Sequence, residues 1–253
     1  MVRIFNFSGG RSSAYCLLRC LDAGIVFDHI IFSNTGKELP QTIEFIANVE
    51  SFVKQRVMCI EYTPSKPLFR VVDIGMLSMS GEPFQALINR RRYLPNVTMR
   101  FCTGDLKVKP VKRFLKSKGY KFWESYLGIR YDEPQRWAKM LQNNHGEPWM
   151  NMLPMVEWGT TQDDVIKFWK SMPFDLKLQP HQGNCDLCFL KGKAKKIEIL
   201  RQSPDVANWW LEIEAATGGQ FNKYHSVKQL VELSRSKTLF DEEMDYPCFC
   251  NAD

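Results

Sequence analysis

Val2-Arg3-Ile4-Phe5-Asn6-Phe7-Ser8-Gly9-Gly10-Arg11-Ser12-Ser13-Ala14-Tyr15-Cys16-Leu17-Leu18 is the stretch that decides the fold. Its first six residues are a short, largely apolar run that ends at a glycine turn, which reads as a core strand. From Ala14 to Leu21 the apolar residues return at helical spacing, and Gly24 supplies a stop signal. A strand that turns on Ser-Gly-Gly into a helix aims successive backbone N–H groups at one point beyond the strand end. The positive end of the helix dipole faces the same point. Ser8, Gly9, Gly10, Arg11, Ser12 and Ser13 are therefore candidate phosphate-holding residues. The structural alternative is a tight strand-to-helix turn with a serine cap. The loop lacks the Gly-Lys-Ser/Thr ending of a Walker A loop and is not Gly-x-Gly-x-x-Gly.

Working outward, Phe27 to Ser33 and Val57 to Tyr62 read as further strands, with an amphipathic helix from Gln41 to Lys54 between them. This alternation predicts βαβ units and a parallel sheet. Pro64 to Thr103 is irregular and rich in Pro, Gly and Met, apart from a short helix near Phe84 to Arg91, and its length suits a lid or binding loop. Asp105 to Lys118 looks helical, with Pro110 in its first turn or kinking it, and Lys121 to Ile129 reads as another core strand. Beyond residue 150 the character changes. Thr161 to Asp164 offers a capping box for a helix running to Lys170, and helices are expected over Gly192 to Arg201, Asn208 to Ala216 and Val227 to Ser234. The expectation is an α/β fold: a parallel twisted sheet with helices on both faces over 1–150, and a helical, cysteine-bearing C-terminal subdomain over 151–253.

With 44% hydrophobic and 25% charged residues among 253, the chain has ordinary globular composition and enough apolar material for a full core. No apolar run approaches the roughly 20 residues needed to cross a bilayer, and Met1 leads into a strand rather than a signal segment. A cytoplasmic protein with no membrane partner is expected. The formal charge of +6 is compatible with a polyanionic partner without requiring one. Between Arg90 and Lys121 the only acidic residue is Asp105, among Arg90, Arg91, Arg92, Arg100, Lys107, Lys109, Lys112, Arg113, Lys116 and Lys118. This stretch reads as a solvated face, as a set of donors for a small anionic ligand, or as a phosphate-tracking surface for tRNA or DNA.

Of the eight cysteines, Cys16, Cys20 and Cys59 fall in apolar, regular segments and read as small buried hydrophobes. The pairs Cys185/Cys188 and Cys248/Cys250 call for chemistry, because close pairs in a reducing compartment bind metal or cycle redox state more often than they form staples. Cys185-Asp186-Leu187-Cys188 has the spacing that puts two thiolates on one metal. The pair at the C-terminus could alternatively be redox-active, with an accessible thiol that carries persulfide or attacks a substrate sulfur.

The Ser8–Ser13 loop resembles the SGGxxS PP-loop of N-type ATP pyrophosphatases, and the resemblance continues along the chain. Phe32 to Glu38, Arg100 to Pro110, Gly128 to Arg136 and Leu153 to Val165 are similar, in that order, to motifs of the phosphoadenosine-phosphosulfate (PAPS) reductase family. Together they cover roughly residues 2 to 200. The resemblance implies a PP-loop, adenine nucleotide alpha-hydrolase-like fold. It also implies an enzyme that binds ATP or a related adenylyl nucleotide and adenylates a substrate in support of sulfur transfer. By the same resemblance Ser8, Gly9, Gly10, Arg11, Ser12, Ser13, Asn34 and Gly128 bind the nucleotide. Arg11, Lys37, Arg130, Asp132, Arg136 and Cys250 serve catalysis, with Asp132 and Glu133 able to hold Mg²⁺.

Cys102, Cys185, Cys188 and Cys248 are then expected to hold a [4Fe-4S] cluster, with Zn²⁺ on the same thiols as the alternative and Cys250 as a second choice for the fourth ligand. A sulfur donor protein or a thioredoxin-like reductant, and a tRNA or DNA acceptor, are the implied partners. The departures are informative. Sulfonucleotide reductases usually lack the double glycine and end in a tail carrying a catalytic cysteine, whereas this chain keeps Ser-Gly-Gly and ends Pro-Cys-Phe-Cys-Asn-Ala-Asp. The intact loop argues for ATP cleaved between its α- and β-phosphates. Reduction of PAPS or APS by a C-terminal thiol is the alternative, and a non-enzymatic nucleotide- or nucleic-acid-binding module with a structural metal is a third.

Overall fold

The apolar run at the N-terminus becomes the central strand of the molecule, β1 (Val2–Phe7). The structure is a computed structural model and describes residues 1–142, 144, 146–179 and 181–236. β1 pairs in parallel with β2 (His29–Asn34) on one side and with β5 (Trp123–Leu127) on the other, Phe5 standing beside Ile30 and Tyr126. β3 (Val57–Glu61) extends the sheet beyond β2, and β6 (Trp149–Met152) extends it beyond β5, both in parallel. A short antiparallel strand, β4 (Arg70–Val72), closes the edge next to β3. The order is β4-β3-β2-β1-β5-β6, an α/β fold as expected.

Two strands escape the sequence reading. β4 lies inside the stretch read as irregular, and β6 carries the sheet two residues beyond the expected boundary at 150. β4 is a three-residue edge, and β6 is four residues following a Gly-Glu-Pro turn, so neither has the length from which a period can be read.

Helices cover both faces. α1 (Arg11–Asp22), α2 (Pro40–Val53) and α7 (Gln162–Trp169) enclose one core, in which Phe5, Phe32 and Val57 meet Leu17, Phe45 and Trp169. Cys16, Cys20 and Cys59 are buried in that core as the sequence suggests, and burial pushes the Cys59 thiol up to about 12. The opposite face packs Ile4, Ile31, Ile60 and Trp123 against Val111, Phe114 and Leu115 of α4 (Lys109–Ser117).

α4 follows a π-helical turn over Thr103–Val108, so the helix expected from Asp105 is wound more widely at its start, with Pro110 in the first turn of the regular part. α5 (Pro134–Gln142) and α6 (Pro154–Glu157) flank β6. The capping box predicted at Thr161 is present, Thr161 N and Oγ1 both donating to Asp164. A third core joins α3 (Glu82–Arg91) to α8 (Lys193–Gln202), α9 (Ala207–Thr217) and α10 (Val227–Arg235). The C-terminal helices therefore share their core with residues such as Phe84, Leu87, Ile88 and Leu106 from the first half of the chain.

The order of the strands positions the site. The chain steps outward from β1 through β2 and β3 to β4, then returns to the far side of β1 for β5 and β6. The direction of winding thus reverses between β1 and β5. At such a reversal the loops leaving two neighbouring strands diverge and open a crevice beyond their C-terminal ends.

Beside this, the end of β3 is held by a buried carboxylate. Glu61 is fully buried and accepts from Asn34 Nδ2 at 2.6 Å, from the Ser78 amide at 2.7 Å and from Arg70 Nη2 at 2.6 Å. Glu61→Ala strands an amide, a carboxamide and a guanidinium, and removing one partner of such a network costs about 3 kcal/mol. Urea unfolding should show stability falling by that amount, through a lower midpoint at unchanged m-value; a loss under about 1 kcal/mol would mean the network does not hold the edge.

Candidate functional site

The turn after β1 carries out the backbone geometry that its glycines permit. Gly9 has φ +80°, a left-handed conformation, and Gly10 is the extended residue from which α1 starts. No side chain caps that helix, so the N–H groups of its first turn are not taken by a capping oxygen. Ser13 Oγ instead accepts from the Ser8 amide at 3.1 Å, which folds the loop onto itself. Gly128, directly after β5, lies against the same turn: a Cβ there would stand 2.6 Å from Ser13 Cα.

A cleft of about 620 Å³ opens at this point and runs along the sheet face between β1, β5, β6 and α4. Ser8, Gly10, Ser12, Ser13, Gly128 and Arg136 line it, so six of the sequence-predicted site residues are brought together.

Its floor is polar, which is unusual for strands buried on both faces of a parallel sheet. Asn6, Ser33, Ser125 and Asn151 all face it, and Asn6 Nδ2 donates to Ser125 Oγ at 2.8 Å. Trp123 and Trp149 form an aromatic wall, stacked with centroids 5.6 Å apart at 23°. Lys107 and Lys112 also line the cleft. Lys112 Nζ meets Glu147 at 2.6 Å and lies over the Trp149 ring, and Lys107 Nζ is 3.6 Å from Glu38. Arg136 Nη1 donates to Glu133 at 2.8 Å. The arrangement combines an uncapped helix start, basic side chains, a stacked indole pair and hydrogen-bonding groups on the floor.

Sequence reasoning missed Asn184. It is buried, its Nδ2 donates to the Ser8 carbonyl at 2.7 Å, and its own carbonyl accepts from the Leu39 amide at 3.0 Å. The Nδ2 bond fixes the amide orientation; Asn184 lines the cleft, and its Oδ1 is a buried acceptor without a partner among the described residues. The polar floor could have been found from Asn and Ser at alternate positions in otherwise apolar strands. Nothing in the sequence marks Asn184 beyond its place beside Cys185.

Other expected site residues are engaged elsewhere. Arg11 holds Asp175 through Nε at 2.6 Å and Nη2 at 2.7 Å, and reaches the Leu176 carbonyl, so its guanidinium fastens α1 to the segment after α7. Lys37 Nζ pairs with Asp186 at 2.8 Å and lies over Trp209. Asn34 serves the Glu61 network, and its Oδ1 accepts from the Gly36 amide. Arg130 Nη1 donates to Ser12 Oγ at 3.1 Å and Nε to Asp132 at 2.9 Å, which steadies the loop from behind.

Asp132 also accepts from the Gln162 amide; although burial pushes its carboxyl up, this bond and Arg130 hold it below the usual carboxylate range. Glu133 accepts from the Arg130 amide and from Arg136. The four oxygens of Asp132 and Glu133, considered as Mg²⁺ ligands, are thus all taken by protein donors.

Cys188 lies in the third core, with Cys102 and Cys185 packed against it. Among the described residues no three His, Cys, Asp or Glu side chains come together as a metal-holding group. Cys248 and Cys250 lie outside the described residues. Among the described residues, no helix is long and apolar enough to cross a membrane.

If Arg11 is an anchor, Arg11→Ala and Asp175→Ala should each lower stability by about 1–2 kcal/mol, and the double variant should lose little more than either. Urea unfolding of the three variants measures this; fully additive losses would show that the pair does not act as a unit.

No family model matches the chain. It is 30% identical over 207 residues to the uncharacterized nin region protein ORF290 of Escherichia phage lambda, an alignment that covers 77% of this chain and 68% of that protein. It is 22% identical over 209 residues to the uncharacterized protein MJ0066 of Methanocaldococcus jannaschii, which covers 81% of this chain but 39% of the archaeal protein. By its identity and coverage against the phage protein, the chain belongs to the family of lambda nin region protein ORF290.

Proposed function

We propose that the cleft binds an adenine nucleotide and that the protein is a PP-loop enzyme, similar to the PAPS reductase family, which uses ATP to adenylate a substrate in support of sulfur transfer. The observation that carries this reading is the uncapped start of α1, opening from Ser8-Gly9-Gly10 into a cleft at the point where the strand order reverses. The cleft volume suits a nucleotide.

In this reading the N–H groups of Ser12 and Ser13 and their hydroxyls hold phosphate oxygens. Lys107, Lys112 and Arg136 offset the charge that develops on pyrophosphate as the α–β bond breaks, and donors fixed before reaction contribute most there. Arg130 acts as a positioning residue through Ser12, while Arg11 and Lys37 serve the fold. The acceptor Asn184 Oδ1 is met by a ligand hydroxyl or amine. The intact Ser-Gly-Gly favours ATP over PAPS as the nucleotide.

Calorimetric titration of the purified protein with ATP and with PAPS tests this. ATP should bind in the micromolar range and more tightly than PAPS, and Asn184→Ala should weaken ATP binding about tenfold, the loss of roughly 1.4 kcal/mol. Preference for PAPS would move the reading to sulfonucleotide reduction with Cys250 as the thiol. Failure of both nucleotides to bind at millimolar concentration would end it.

A further inference from the structure

The charge of this chain is unevenly distributed. Residues 90–121 hold eleven basic side chains against one carboxylate, a net of +10 in a chain whose total is +6, so the remaining residues carry −4. The part of it on α4 lies over one face of the sheet. α4 turns Val111, Phe114 and Leu115 into the core, while Lys109, Lys112, Arg113 and Lys116 recur at three- and four-residue spacing on its other side.

The lone carboxylate is used to assemble the surface. Asp105 accepts from Arg91 Nε at 3.0 Å and from Lys109 Nζ at 2.6 Å. It thereby fastens the arginine-rich end of α3 to the start of α4 and contributes no exposed negative charge. Burial pushes this carboxyl up, but the hydrogen bonds from Lys109 and Arg91 hold it below the usual range, so it stays ionised.

Arg90, Arg92, Lys116, Lys118 and Lys121 are exposed along this side. Tyr93 near one end and Phe122 at the other are exposed by 37% and 44%. At its inner edge the stripe passes through Lys112 into the cleft.

We propose that this α3–α4 surface is a binding site for single-stranded nucleic acid, whose phosphates follow the basic stripe and whose bases stack on exposed aromatic side chains. A run of cations with an exposed aromatic ring near either end suits the phosphates and bases of a single strand, and its continuity with the cleft through Lys112 makes the strand a substrate rather than a bystander. The docking needs only this surface; its role as the acceptor rests on the nucleotide reading above.

The test is fluorescence anisotropy of a labelled 20-nucleotide single strand, DNA and RNA in turn, with the full-length protein over a range of salt. The variant Arg113→Gln/Lys116→Gln/Lys121→Gln removes three stripe charges outside the cleft lining. Lys54→Gln/Lys167→Gln/Lys170→Gln removes the same charge from the helices on the other sheet face. The stripe variant should bind at least tenfold more weakly, and its slope of log affinity against log salt should be shallower by about 2. The control variant should match wild type in affinity, and both variants should match it in thermal midpoint and in ATP affinity.

Equal binding by the stripe and control variants overturns the proposal. So does absence of oligonucleotide binding at low salt, or binding to phosphatidylserine vesicles in place of oligonucleotide. ATP bound with the strand ignored defeats this proposal alone. A strand bound at the stripe without ATP binding supports the site and defeats the cleft reading.

Discussion

The close approach of Gly128 to the first turn of α1 is the constraint on which the rest of the site depends. A side chain at 128 would meet Ser13 Cα at 2.6 Å, so only glycine lets the end of β5 lie against the loop that leaves β1. Because those strands are neighbours at the reversal of strand order, their loops diverge just beyond this contact, and the cleft begins there. A strand order without the reversal would send both helices to one side and leave no crevice. The glycine is therefore a packing requirement that creates a binding geometry.

A second set of contacts fastens the C-terminal half of the chain to the same place. Asn184 hydrogen-bonds the Ser8 carbonyl, the Asp186 amide donates to the Lys37 carbonyl, and the Lys37 ammonium returns to the Asp186 carboxylate. Trp210 Nε1 donates to that carboxylate at 3.0 Å, and Lys191 Nζ donates to the carbonyls of Cys185 and Asp186. A buried ion pair of this kind is weak evidence for added stability, since desolvation offsets most of the attraction. What it supplies is register. The Cys-x-x-Cys turn is held in one alignment with the loops after β1 and β2, so the segment that carries the thiols and the segment that forms the cleft move as one piece.

How much of this was legible depends on the kind of signal. β1, β2, β3 and β5, with α1 and α2, follow from apolar runs and helical spacing, which report burial and need no tertiary context. The tight turn from β1 into α1 was legible because glycine, serine and position all point the same way. β4 and β6 were not, because their three and four residues are too short to show a period and exist only by pairing with strands already in place. Asn184 was hidden for a related reason: its role arises from contacts with Ser8 and Leu39, which are 176 and 145 positions away. Arg11 was expected at the site from its place in the loop and Lys37 by resemblance, yet their partners Asp175 and Asp186 come from far along the chain, where spacing carries no information.

The reassignment of those cations changes the electrostatics of the cleft. With Arg11 and Lys37 directed to buried or half-buried carboxylates, positive potential at the loop comes from the start of α1 and from Lys107, Lys112 and Arg136. Each of those three already faces an acid: Glu38, Glu147 and Glu133 respectively. Paired in this way, long side chains are held near the cleft with much of their rotamer freedom already lost, so an arriving anion need not order them again. The anion must, however, compete with a carboxylate for each cation, which favours ligands of high charge density over singly charged ones. In the nucleotide reading proposed above, a polyphosphate would meet that condition through several oxygens at once, and the start of α1, whose first turn carries no acid, would give it a first point of attachment.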